Sequence, residues 1–174
     1  MTKKFASRSA QWPLFQEFTM NFNDWAIDTV SGVKKTLGCA VTNTGATNAI
    51  DPATLGVESG LTQGTDLVFD AIPMPTGAMI IGGTVYVETA FNGTSTATVS
   101  TGVAGATTAF TTTTDLKTAG ITAFTLTGIL AKRCLAGENI RLTFALATAD
   151  QTAGKVRIRV EYTMDGRANE NIIN

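Results

Sequence analysis

The sequence predicts an all-β fold, a jelly-roll-like β-sandwich of about eight antiparallel strands behind an extended N-terminal arm. Three observations predict it. Apolar residues recur at every second position in several short runs, the period of a strand with one buried face. Threonine is the commonest residue and glycine adds 17 more; a β-branched threonine suits a pleated, half-buried surface. No run carries the 3.6-residue period for longer than a turn or two, and no 20–50-residue repeat marks a solenoid or propeller.

The elements follow in chain order. Residues 1–16 hold Lys3, Lys4, Phe5, Arg8, Trp12 and Phe15 without periodicity and are expected to form an arm whose aromatics dock on another surface or close one end of the core. The sandwich is expected over 17–168 and a short tail over 169–174. Phe18, Met20 and Phe22 alternate, and the phase shift at Trp25 and Ile27 predicts a bulge or bend. Leu37, Cys39 and Val41 alternate next, and 43–64 read as a long loop. Leu67, Val68 and Phe69 mark a short strand ended by Pro73 and Pro75.

Over 79–101 the pattern puts Ile81, Val85, Val87 and Phe91 on one face and Thr84, Tyr86 and Glu88 on the other. Asn92-Gly93 then reads as a hairpin turn with a bulge, pairing Val87 with Val99. Residues 102–118, with the run Thr111–Thr114, read as a second long loop. A strand is expected near 121–127 with Phe124 and Leu126 in phase. Finally Ile140, Leu142, Phe144 and Leu146 alternate with polar neighbours, as do Val156, Ile158, Val160 and Tyr162. A terminal hairpin pairing Phe144 with Ile158 would set Arg141 opposite Glu161.

Composition bounds the function. The length of 174 residues suits one domain. Charged residues make up 16%, below the roughly 25% of ordinary soluble domains, which fits a surface largely covered by neighbouring subunits. The net charge of −1 and pI of about 5.4 create no basic field for nucleic acid. Cys39 and Cys134 are expected to be free, buried thiols. The first residues lack an apolar signal-peptide core, and no stretch is apolar enough to span a bilayer, so no membrane partner is expected.

Chemistry has few places to reside. The chain has no histidine, which removes the commonest general base, the Ser-His-Asp triad and ordinary catalytic zinc sites. No phosphate-binding glycine loop is present. Asp24/Asp28 and Asp66/Asp70 are sequence-near carboxylate pairs with nothing placing them in a shared cleft, and Asp150 and Asp165 are too sparse for a calcium loop. No enzyme activity, cofactor or metal is expected. The residues expected to contact partners are Phe5, Arg8, Trp12, Phe15, Tyr86, Arg157 and Arg159. Tyr86 falls on a polar strand face, and Arg157 and Arg159 lie with Lys155 on a basic stripe that reads either as a solvated, paired face or as a charged contact to an acidic neighbour. Tyr86 and Trp25 are also the aromatic platforms a carbohydrate-binding sandwich would use.

Five segments carry a resemblance. They are Asp70-Ala-Ile-Pro-Met-Pro-Thr-Gly-Ala-Met, Val85-Tyr-Val-Glu-Thr-Ala-Phe-Asn-Gly-Thr, Ala136-Gly-Glu-Asn-Ile-Arg-Leu-Thr, Ala153-Gly-Lys-Val-Arg-Ile-Arg-Val-Glu-Tyr and Asp165-Gly-Arg-Ala. In this order, over about residues 65–168, they resemble a family of small tailed-phage virion proteins, some of which act as capsid cement or decoration proteins. The resemblance implies a β-sandwich or jelly-roll subunit on a virion, commonly oligomeric. The function expected on that basis is a capsid cement or decoration subunit that binds the major capsid protein and its own copies, as a homotrimer, on the capsid exterior, and the lack of a signal peptide leads us to expect synthesis in the host cytoplasm. The family supplies no catalytic residues, and the charge balance predicts no direct nucleic-acid contact. A tail, neck or head-fibre component is the alternative within the virion; a carbohydrate-binding module is the alternative outside it.

Overall fold

A computed structural model describes residues 13–30, 32, 34–37, 66–93, 96–126, 133–134, 137–146 and 151–164. Within them the chain forms β1 (Leu14–Asn21), β2 (Trp25–Ile27), β3 (Lys34–Thr36), β4 (Leu67–Pro73), β5 (Ala78–Thr89), β6 (Ala97–Val103), β7 (Ala106–Asp115), β8 (Gly120–Ala123), β9 (Arg133–Cys134), β10 (Asn139–Leu146) and β11 (Lys155–Met164). No helix occurs among the described residues.

Two antiparallel sheets face each other. The first runs β1-β11-β5-β8, with β9 pairing a second stretch of β5; the second runs β4-β10-β6-β7. β8 and β9 therefore act as one interrupted edge strand. The order is that of a ribbon of hairpin-like pairs, β1 with β11, β4 with β10, β5 with β8 and β9, and β6 with β7, rolled so that β11 meets β5 and β10 meets β6. This is the jelly roll expected from the strand pattern.

Alternation builds the core. Ile140, Leu142 and Phe144 of β10 face Val156, Ile158, Val160 and Tyr162 of β11 across the sandwich, all buried. Phe18, Phe69 and Phe144 form an aromatic chain between the sheets, with centroids 5.6 and 6.0 Å apart, spacings at which ring pairs add to plain burial. At the far edge Phe124 stacks on Phe110 at 5.7 Å, and Thr125 N donates to the carbonyl of Phe110, so the chain leaving β8 bridges the two sheets.

Several sequence expectations are corrected. β10 and β11 do not form a hairpin; each lies in a different sheet, and Arg141 meets Asp70 of β4, not Glu161. Alternation fixes which face of a strand is buried, and two faces opposed across a core carry the same pattern as two adjacent strands. β5 and β6 are likewise in different sheets, so Asn92-Gly93 is a crossover and Val87 pairs with Val156, not Val99. Residues 106–115 are strand, not loop: Val103 pairs with Ala106 around Ala104-Gly105, where Gly105 takes the left-handed φ of 80° that favours glycine. The threonine run joins this strand because β-branched residues suit a pleat. Its alternation is blurred by two register shifts against β6, where buried Thr111 Oγ1 accepts from Thr101 N at 3.0 Å.

Ile81 is exposed and Ile80 buried instead, because a bulge sets Glu161 opposite Gly82 and Tyr162 opposite Ile80. The break after Phe22 is a tight turn: Asp24 Oδ2 accepts from Asn21 N at 2.7 Å and Asn21 Nδ2 at 2.9 Å. The chain then enters the small β2–β3 ribbon. β8 ends at Ala123, short of the expected 127. β1 starts at Leu14, so Leu14–Gln16 belong to the sandwich and not to the arm. Cys39, the 43–64 loop and the 169–174 tail lie outside the described residues.

Candidate interaction surface

The outer face of the first sheet gathers the predicted contact residues that the structure describes. On β11 the inward phase of Val156, Ile158 and Val160 forces Lys155, Arg157, Arg159 and Glu161 outward. Pairing then sets Thr19, Arg157, Tyr86 and Ile121 in one row across four strands, and Glu17, Arg159, Thr84 and Ala123 in the next. Phe15 lies beyond them, opposite Glu161. Phe5, Arg8 and Trp12 lie outside the described residues.

The face is organised by cations laid over rings. The Arg159 guanidinium sits 4.2 Å from the centroid of the Phe15 ring, and that of Arg157 sits 5.3 Å from the Tyr86 ring. Both distances fall within cation–π range. Arg157 Nη2 also reaches Glu88 Oε1 at 2.9 Å, Lys155 Nζ reaches Glu88 Oε2 at 2.7 Å, and Arg159 Nε meets Glu161 Oε1 at 3.4 Å. The last is an ion contact too long for a well-formed hydrogen bond. The hydrogen bond from Lys155 holds the Glu88 carboxyl below the usual carboxylate range; desolvation opposes it, and the charges of Lys155 and then Arg157 add to the lowering.

The three cations Lys155, Arg157 and Arg159 therefore share the face with the three carboxylates Glu17, Glu88 and Glu161. The basic stripe is a charge-balanced lattice, which does not fit the uncompensated patch that backbone phosphates select. Phe15 is among the expected contacts, whereas the exposed Ile121 and Ile81 are what sequence patterning missed. Phe15 is 55% exposed, Ile121 70% and the bulged Ile81 42%. Ile121 is detectable as the residue out of phase with the half-buried Phe124; Ile81 is hidden by the bulge.

A second exposed apolar group, Trp25, Ile27 and Val30, sits on β2 and the turn that leads from it toward β3. This region is anchored to the free edge of β4: Thr29 N donates to Val68 O at 2.7 Å, and Val68 N donates to Asp28 Oδ1 at 3.1 Å. The edge is thereby capped against further strand addition at that point. Among the described residues no three His, Cys, Asp or Glu side chains are grouped to hold a metal ion.

No protein-family model matches the sequence, and no curated protein does. Among solved structures, a chain of the cyanophage Pam1 capsid asymmetric unit superposes with a TM-score of 0.55 at 18% identity, covering 93% of this chain and 94% of that one. The two chains share a fold. A chain of the acidic stable capsid structure of Helicobacter pylori bacteriophage KHP30 aligns with a TM-score of 0.44 at 19% identity, over 57% of this chain and 79% of that chain. At these identities the likeness to Pam1 is one of fold, and it extends over nearly the whole of both chains.

Proposed function

We propose that this protein is a non-enzymatic virion structural protein of a tailed phage, a capsid cement or decoration subunit that binds the major capsid protein and braces the shell from outside. The observation that carries the reading is the jelly roll shared, over nearly the full length of both chains, with a chain of a phage capsid asymmetric unit. The outer face of the first sheet supports it. Exposed aromatic and aliphatic side chains set among paired charges are the composition of a protein–protein contact: rings and arginines supply anchors, and ion pairs fix register. In this reading the arm carrying Phe5, Arg8 and Trp12 reaches a neighbouring capsomer. The subunit self-associates as a homotrimer, since shell sites repeat by symmetry.

The test is stoichiometry in purified particles. Quantitative mass spectrometry of virions is expected to find the protein at a copy number comparable with that of the capsomers. Fewer than about a dozen copies would move it to the tail, neck or a head fibre, where symmetric sites are few. The carbohydrate-binding alternative is less well supported, because the Tyr86 ring already carries the Arg157 guanidinium.

A further inference from the structure

We infer that Asn92-Gly93 is a latent site of spontaneous covalent modification, held closed by the turn at 151–154. It is the one Asn-Gly pair in the sequence. In such a pair the backbone nitrogen of the glycine can attack the asparagine side-chain Cγ, because glycine has no side chain to obstruct the approach and few conformational restrictions. The Gly93 N–H gives its proton to solvent base, the N–Cγ bond forms, and the Asn92 amide nitrogen leaves as ammonia. The resulting succinimide takes up water at either carbonyl and opens to aspartate or to isoaspartate. Water is the only co-reactant, and no electrons are exchanged.

Both reacting groups are occupied in the fold. Gly93 N donates to Gln151 Oε1 at 2.7 Å, in a buried position. The Asn92 amide is held at both ends: Nδ2 donates to Thr152 Oγ1 at 2.7 Å, while Oδ1 accepts from Thr152 N at 2.9 Å and Ala153 N at 3.1 Å. The nucleophile keeps its proton, and the electrophilic carbon cannot rotate toward it. Asn92 itself is exposed, so water and base reach the site as soon as the turn opens.

The same contacts explain why so labile a pair stands there. Asparagine is needed at 92 because one short side chain must accept two backbone N–H groups and donate to a hydroxyl. Glycine is needed at 93 because a Cβ would collide with the Gln151 side-chain amide. The lock ties the connection after β5 to the one before β11. There Gly154 O accepts from Phe22 N at 2.9 Å and Phe91 N donates to Leu116 O at 2.9 Å, so four connections meet at one end of the sandwich. Modification at Asn92 thus records opening of that end, irreversibly. Isoaspartate lengthens the backbone between 92 and 93 and pulls Gly93 N off Gln151.

The experiment ages the full-length protein at mildly alkaline pH, folded in buffer or unfolded in urea, and follows Asn92 by peptide mass mapping with isoaspartate detection. Conversion is expected to be slower by about tenfold or more in the folded protein, because reaction must wait for local opening. Folded Gln151→Ala is expected to recover much of the unfolded rate; if it fails to fold, Thr152→Val, which removes only the hydroxyl, is used instead. Equal rates in folded and unfolded wild type, or a folded variant converting at the wild-type rate, overturn the inference.

Discussion

Arg159 and Phe15 belong to neighbouring strands but are not directly opposite; the guanidinium leans diagonally from β11 to lie 4.2 Å above the ring on β1. That diagonal leaves Phe15 more than half exposed while holding it in place. A double-mutant cycle with Phe15→Ala and Arg159→Ala, followed by urea unfolding, is expected to give a coupling of about 0.5–1 kcal/mol, the range for an exposed cation–π pair. No coupling would remove the ordered anchor from the proposed interface.

Ile121 tests the interface without disturbing the core. It is 70% exposed on an edge strand, so Ile121→Ser is expected to change folding stability by less than about 0.5 kcal/mol. Phe144→Ala removes a ring that is fully buried and stacked on Phe69, and is expected to cost about 3–5 kcal/mol. If the face binds the shell, Ile121→Ser weakens binding to undecorated capsids while leaving the melting temperature near wild type. Sedimentation with purified shells separates the two effects. Full binding by both Ile121→Ser and Phe15→Ala would move the contact elsewhere.

Glu88 sets a pH dependence with a definite sign. Its folded value lies below the ordinary 4.5 because Lys155 hydrogen-bonds the ionised form. The folded state therefore holds the proton less tightly than the unfolded chain does. The contribution is present in full above about 4.5 and is lost as pH falls through the lower folded value. Melting temperature measured across pH 3–6 (roughly the range of carboxylate titration) is expected to fall less steeply for Glu88→Gln than for wild type. The difference should shrink in high salt, since both partners are accessible to screening.

How much of this is legible in the sequence depends on the length scale of each signal. Alternation is local, so the inward faces of β10 and β11 and the outward Tyr86, Arg157 and Arg159 can be read directly. Partner choice is not local. Ile140, Leu142 and Phe144 satisfy a core equally well beside β11 or across from it, and only the rolled topology puts Arg141 against Asp70, with two short contacts of 2.8 and 3.1 Å. Asn92-Gly93 stands out in the sequence, but its residues lock two crossovers together instead of turning a hairpin. Ile81 and the threonine run of β7 escape the pattern for one reason, since a bulge or register shift breaks the period of two on which the reading relies.

The lock yields a last prediction, independent of any binding partner. Gly93→Ala places a methyl group where the Gln151 amide lies, and is expected to destabilise the fold by about 1–3 kcal/mol, the usual cost of overpacking. Gln151→Ala alone leaves the buried Gly93 N–H without the acceptor it has in wild type, a loss of about 1–3 kcal/mol. In the double variant the alanine at 151 makes room for the methyl group at 93, and only the lost hydrogen bond remains. Unfolding in urea is expected to show the double variant no less stable than Gln151→Ala by more than about 0.5 kcal/mol, well short of the sum of the single effects. Strict additivity would mean that the Gln151 side chain is not what excludes a methyl group at position 93.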